Sequence, residues 1–395
     1  MIRLLKIGFD SLLFTLTQML VWIMLGFAVN PHISVVYSIT YSAQFFSQTL
    51  VDIFASGANI RATKANDQQI SKRSFTLGII VILLLFGSFA LNTKSFVHIM
   101  DISYTEYGLF CTYAILLLCL QTIIKLVCSQ LYYAKKNSKA NKITLVYNLS
   151  NLALVVVLCF SLKDKAHAVA ITLCVDSIIA ILIVIRNAQM SLGIVNVVEN
   201  IKIASNGVLG DLGMLISFFV GYKLAFSFGT TYMVVITFVT LITDAQWDAS
   251  YAINAAAEID SSLNNVNYSS SLKNAYKFTT VLVLSSLAGC AVLYNIYHPT
   301  LWVLILMLGG EIFGFYLAPL YTIKEAYCQI NHSRRITSAN RCIDRGLRIA
   351  AAFIPTPFCT EIGMLVSVIF QFISFHWIYR RLFYVEGKQL RMFVE

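Results

Sequence analysis

Charge is what this chain lacks most. Asp, Glu, Lys and Arg together make up 12% of its 395 residues, against about 25% in soluble domains. A soluble surface needs charge, so this scarcity excludes a soluble globular protein and a disordered chain. Other absences narrow the field further. No Walker A or other glycine-rich phosphate loop occurs, so ATP does not drive the protein directly. The six histidines are scattered, with no HExxH and no paired spacing, which argues against metal catalysis. No cysteine belongs to a CxxC, and the nine present (Cys111, Cys119, Cys128, Cys159 and Cys290 among them) fall mostly within apolar runs. They read as small packing residues and not as metal ligands or disulfide partners. The basic start Met1-Ile-Arg-Leu-Leu-Lys6 is followed by a span-length apolar run without a small-residue cleavage site, so no removable signal peptide is expected.

What is present in excess is apolar surface: 58% of residues are hydrophobic and the mean hydropathy is +0.74. The chain reads as an all-α polytopic membrane protein. A spanning helix takes about 20 residues, and apolar runs between polar breaks give twelve candidates. They include 11–29, 33–60 and 74–91 in the first half and 231–257, 301–327, 340–358 and 362–379 in the second. With the N-terminus in the cytoplasm, 24 of the 29 Lys and Arg fall at cytoplasmic ends and only Lys94, Lys163 and Lys165 in outer loops. This bias places both termini in the cytoplasm. It also accounts for the net charge of +10 through topology and anionic lipid, with no nucleic acid involved.

The longest breaks are 187–207 and 258–274. The first divides the chain into an N-terminal six-helix lobe (1–190), a cytoplasmic or interfacial linker (191–207) and a C-terminal six-helix lobe (208–395). Within the linker, Leu192-Gly-Ile-Val-Asn-Val-Val-Glu-Asn-Ile has the pattern of a short amphipathic helix lying along the interface. The halves echo each other. Gln44, Gln48 and Asp52 stand opposite Thr240, Asp244 and Asp248, and Tyr133-Ala-Lys-Lys-Asn137 has its counterpart in Tyr327-Cys-Gln-Ile-Asn331. Six spans per half make two pseudo-symmetric bundles in parallel repeat, a layout that holds cargo between lobes.

An ionisable group inside a span costs about 2.5–3.5 kcal/mol on insertion scales and demands a reason. Gln44, Gln48, Asp52 and Ser56 are spaced by four and share one helical face. Asp244 and Asp248 are likewise four apart, with Thr240 above and Tyr251 below. Two carboxylates so close repel, so the pair can hold a proton, or it can ligate a hard cation. Either suits an ion-coupled exporter, with Asp52 as partner in the first lobe. The competing reading is structural pairing: Lys125 lies at a depth similar to Asp52, and Arg345 and Arg348 can neutralise Asp248 or Asp344. Glu311 follows Gly309-Gly310, with Pro319 eight residues on. That reads either as a hinge with a cavity-facing acid or as packing with a static kink. Asp176, Lys223 and the polar face Tyr147, Asn148 and Asn151 stay open between cavity lining and helix anchoring.

The chain resembles the multidrug and toxic compound extrusion (MATE) transporters of the MOP exporter and flippase superfamily. The resemblance runs along nearly its whole length. It is carried by Gln18 through Asn66, the elbow Tyr133–Asn151, the hairpin opening Phe226-Ser-Phe-Gly229 and the elbow Tyr327–Arg345. Where that family has a proline near the start of its first and seventh spans, this chain has Asp10 and Asp211. The family's coupling acids in spans one, seven and ten have no counterpart here, so their roles do not transfer. The resemblance implies a non-enzymatic, inner-membrane secondary exporter of amphiphilic or organic-cation-like molecules. Coupling would be to proton or sodium influx by alternating access, without a cofactor. The alternative is a flippase for lipid-linked oligosaccharide or other polyprenyl-linked cargo. Candidate ion-coupling and substrate residues are Asp52, Asp244, Asp248, Glu311, Gln48 and Lys125. Expected partners are a small-molecule or lipid-linked cargo and membrane lipid, with the protein acting as a monomer.

Overall fold

The computed structural model describes residues 4, 9–29, 33, 35–99, 103–262, 268–297, 299–331 and 334–385, and among them there is no strand. The helices are α1 (Phe9–Ala28), α2 (35–65), α3 (Gln68–Leu91), the short α4 (Thr93–Ile99), α5 (Tyr104–Tyr133), α6 (Asn137–Ser161) and α7 (Lys165–Asn187). They continue as α8 (Val197–Ser227), α9 (Thr230–Ser262), α10 (Tyr268–Tyr297), α11 (Leu301–Asn331), α12 (Arg334–Ala352) and α13 (Cys359–Val385). Leaving out α4, each of the twelve expected spans has its helix among the described residues.

Eight of these helices are long and apolar enough to cross a membrane, and α1 and α9 carry shorter apolar stretches. The polar face of α2 and the arginines of α12 keep those two below the same measure. The chain is a multi-pass membrane protein.

The fold divides into two compact units, Leu16–Phe226 (the N-unit) and Ser227–Glu395 with Met1–Thr15 (the C-unit). Helix α8 falls with the N-unit, apart from its last residue. At the centre of that unit lies α5, with 78% of its apolar stretch buried against 28% for α3, α6 and α7. It is apolar all round, which suits a helix enclosed by others. Its Leu126 and Val127 pack into one core with Phe54 of α2 and Phe75, Ile82 and Phe86 of α3. Outward residues of the enclosing helices, such as Leu84 and Ile185, are exposed, as lipid-facing side chains are in a protein solvated by hydrocarbon. Seven of the nine cysteines are buried and all are free.

Local chemistry sets the boundaries. Asp67 caps α3 by accepting from the Gln69 amide at 2.8 Å, and Asp164 caps α7 by accepting from Ala166 at 2.9 Å. These two acids satisfy amides left open at helix starts. In α2 the segment Asp52–Gly57 widens into a π-helical turn. Helix α12 starts at Arg334 and ends at Ala352, about six residues before the expected limits at both ends. Pro355 and Pro357 force that stop, since neither can donate to a continuing helix.

The expected interfacial helix is not formed as such. Residues 188–196 carry no helix, because their backbone bonds go to distant side chains. Gln130 donates to the Gln189 carbonyl and accepts from its amide, both at 3.2 Å. Thr76 Oγ1 accepts from the Ser191 amide at 3.1 Å, and Arg61 donates to the Asn196 carbonyl at 3.2 Å. Asn196 Oδ1 then accepts from the Glu199 amide at 3.1 Å. That cap starts α8 at Val197, so residues 197–207 are the first turns of a spanning helix.

Candidate functional site

Among the described residues, the C-unit gathers the largest set of buried charge. Glu311 on α11 and Glu361 near the start of α13 are both 7% exposed, and Arg348 on α12 is 8% exposed. The two carboxylates are electrostatic neighbours, and the Arg348 guanidinium acts on both. Trp247 of α9 donates its indole N–H to Glu311 Oε2 at 2.6 Å, and Thr243, one turn earlier, bonds to the same carboxylate. Glu361 Oε1 is buried with no hydrogen-bond partner among the described residues. It lies against the backbone of α11: a methyl group built on Gly310 would stand 2.7 Å from it. Gly310 therefore has a definite task, which is to let α13 bring an acid to the flank of α11. With all three groups ionised the cluster carries one net negative charge. An apolar interior tolerates such a charge only if a proton or a cation neutralises it.

Two further ionic contacts line α12. Arg341 donates to Glu325 at 3.0 Å. Arg345 meets Asp344 at 2.8 Å, and Ser367 of α13 donates to the other Asp344 oxygen at 2.6 Å. This is the Arg345–Asp344 pairing that the sequence offered as the structural alternative. Asn340 also donates to Gln371 at 2.8 Å, so α12 is bound to α13 by polar contacts along its length.

Two of the polar groups in the N-unit are built around an acid. On α2, Gln48 and Ser56 donate to Asp52 Oδ1 at 3.2 and 3.4 Å. The spacing of four thus brings these side chains together, across the π-helical turn. The other Asp52 oxygen is pressed onto α8 at Gly207, where any side chain would overlap it. The second group joins α5, α6 and α7. Asp176 is fully buried and accepts from Asn151 Nδ2 at 2.5 Å, and the same amide reaches the Tyr113 hydroxyl at 3.4 Å. Asp176 Oδ1, Asn151 Oδ1, Asn148 Oδ1 and the Tyr147 hydroxyl are buried without hydrogen-bond partners among the described residues.

Against the sequence-based candidates, the structure places Glu311 in the C-unit cluster and Asp52 with Gln48 in the α2 group. Lys125 is half-buried on α5, and Asp244 is buried on α9. The Asp248 and Tyr251 side chains lie outside the described residues. Sequence reasoning missed Glu361 and Trp247. A signal for Glu361 existed, since it is the one acid in the apolar run 358–379. Among the described residues no group of three or more His, Cys, Asp or Glu is placed to hold a metal ion.

No family model matches the sequence, and no curated protein matches it. Solved structures do. A multidrug resistance MATE family transporter of the MOP superfamily, in its inward-facing conformation, superposes with a TM-score of 0.72. It is 14% identical over 98% of this chain and 99% of that one. A MATE protein in complex with MaD3S gives 0.66 at 15% identity, covering 98% and 97%. A MOP superfamily transporter from Pyrococcus furiosus, whose binding pocket of reverse polarity suggests a different function, also gives 0.66 at 15% identity over 96% of both chains. From its first described helix to its last, the chain has the fold of the MATE transporters of the MOP superfamily.

Proposed function

We propose that this protein is a secondary-active membrane exporter of amphiphilic or organic-cation-like molecules, driven by inward movement of a proton or a sodium ion. The observation that carries the reading is the C-unit cluster, in which two buried carboxylates share one guanidinium. A single monovalent cation or proton brings Glu311, Glu361 and Arg348 to neutrality, and the unbonded Glu361 oxygen offers it a position. Trp247 holds Glu311 by its indole N–H and the Arg348 charge acts on both carboxylates, so a change in occupancy alters the electrostatics of the α9, α11, α12 and α13 packing. That is what coupling requires: an ion whose binding free energy differs between two conformations of the carrier. The Asp176 group supplies a further buried carboxyl, whose partners among the described residues are neutral and which can hold a proton.

The flippase reading needs a cationic cavity for a diphosphate. Two of its three basic candidates have other commitments, Arg345 to Asp344 and Arg348 to the paired glutamates. The exporter reading is therefore the better supported. The inner membrane is the expected location, from the resemblance to these exporters; the charge bias of the loops sets only the orientation.

The test is transport in reconstituted vesicles, with proton and sodium gradients imposed separately. Efflux of a cationic dye is followed beside turnover of a labelled undecaprenyl-linked saccharide. Dye efflux under one gradient, reduced at least ~100-fold in Glu361→Gln and Glu311→Gln at equal protein level, is the expected result. Dye that moves under neither gradient, or equally well in both variants, overturns the assignment.

A further inference from the structure

We propose that the ends of α11 and α13 carrying Lys324, His376 and Arg380 form a phosphate-binding site. It would take either the head-group phosphate of an anionic lipid or a free phosphate ion. The site is separate from the glutamate cluster and does not depend on the exporter reading. Lys324 Nζ donates to His376 Nδ1 at 3.1 Å. It also stands 5.8 Å from the ring centroids of both Tyr268, at the start of α10, and Tyr379. His376 itself stacks on Phe372, with centroids 6.2 Å apart. Arg380, one turn beyond His376, is exposed and lies within electrostatic reach of both Lys324 and His376.

Three basic side chains thus converge from two helices. Among the described residues no carboxylate forms an ion pair with any of them. The acid next along α11, Glu325, is held by Arg341 at 3.0 Å. An ammonium has three N–H donors. Lys324 spends one on His376, and the others meet no acceptor among the described residues. Aromatic faces hold the ammonium in place without consuming its donors. A guanidinium fork beside an ammonium suits phosphate: Arg380 can bond two oxygens and Lys324 a third. Tyr268, Tyr379 and the half-buried Tyr321 and Tyr327 beside them give the site an apolar wall, against which the glycerol end of a lipid can lie. By the charge bias of the loops this is the cytoplasmic end of the unit, where anionic head groups are attracted to basic clusters.

The experiment uses the full-length protein in phosphatidylcholine nanodiscs doped with phosphatidylglycerol. Retained lipid is counted by native mass spectrometry, and melting temperature is followed with and without inorganic phosphate. Wild type and Lys324→Arg should retain phosphatidylglycerol. Lys324→Gln and Arg380→Gln should each bind it at least ~10-fold more weakly, the loss of a charge-assisted hydrogen bond. Displacement of the lipid by inorganic phosphate, or a melting shift with phosphate alone that both Gln variants lose, identifies the free ion as sufficient. Loss of lipid in the variants without phosphate competition identifies the lipid head group as the ligand. Unchanged retention in both Gln variants, with no phosphate effect that either variant removes, overturns the proposal. Arg380 is exposed, so its variant decides the matter if Lys324→Gln fails to fold.

Discussion

The two compact units bury carboxylates in different company. In the N-unit, the partners of Asp176 among the described residues are neutral: the Asn151 amide and, beyond it, the Tyr113 hydroxyl. In the C-unit, Glu325, Asp344 and the Glu311–Glu361 pair each have an arginine beside them. All three arginines come from α12. Arg341, Arg345 and Arg348 recur at four and three residues, so they run down one side of the helix. That helix carries too much charge to pass as a membrane span and is held in place by the acids it serves. The N-unit seam around Asp176 is thus made of hydrogen bonds from neutral side chains. The C-unit seam is ionic, and at Glu311 and Glu361 it has one acid more than its guanidinium can balance. A site that is one charge short is where an ion can act as a switch, whereas a neutral seam mainly fixes geometry.

The sharpest way to break this comparison is to remove the guanidinium. Arg348→Met leaves two glutamates buried without a cation and should cost about 3–5 kcal/mol. The readout is a collapse of the melting temperature in detergent. Adding Glu361→Gln removes one of the uncompensated charges and should recover a large part of the loss. An Arg348→Met protein as stable as wild type would show that the cluster is not the charged core described.

The N-unit should respond less and in a different manner. Asn151→Ala takes away the hydrogen bond that Asp176 accepts among the described residues and should cost about 1–3 kcal/mol. Removing both partners, in Asn151→Ala with Asp176→Leu, should recover most of that cost, because of the bonded groups only the Tyr113 hydroxyl is then left stranded. Unfolding curves of the single and double variants check this. If the double variant is worse than the single, Asp176 has a partner beyond its neutral neighbours, and the contrast between the units weakens.

Much of this was legible before the coordinates. Hydropathy and loop charge were enough to mark twelve helices, since a segment in hydrocarbon must satisfy its own backbone and so must be helical. The spacing of Gln48, Asp52 and Ser56 announced a shared face, and the three side chains do meet. Asp344 and Arg345 are chain neighbours, so their pairing could be foreseen. The contacts that were not legible join residues far apart in sequence. Glu361 reaches Gly310 across 51 positions, and nothing in either segment records the other. The stretch 192–201 has an amphipathic pattern, yet its first half is drawn into a loop whose backbone bonds go to Gln130, Thr76 and Arg61, and local pattern cannot foresee a competing partner from another helix. The end of α12 was misplaced for a local reason: its apolar tail runs on through Pro355 and Pro357, and hydropathy ignores the missing amide.

The smallest effect belongs to an acid that is neither buried nor ionic in the C-unit sense. Asp164 is exposed at the start of α7, where it accepts from the Ala166 and His167 amides, with His167 Nδ1 2.6 Å from its second oxygen. The His167 contact, with the two amides, holds its carboxyl below the usual carboxylate value. A carboxyl whose folded-state value is depressed stabilises the fold above its unfolded value, and that contribution is lost as pH falls through the folded one. Asp164→Ala should therefore lower the melting temperature at neutral pH by less than either variant above. The deficit should shrink steadily on acidification and disappear once wild-type Asp164 is itself protonated. Melting curves of both proteins from neutral pH downward decide the point. A deficit that stays constant would mean that the lost packing of the side chain, and not its charge on the helix start, is what α7 uses. In that case an exposed cap would behave like the neutral seam around Asp176, and the ionic mode would be confined to α12 and the acids it serves.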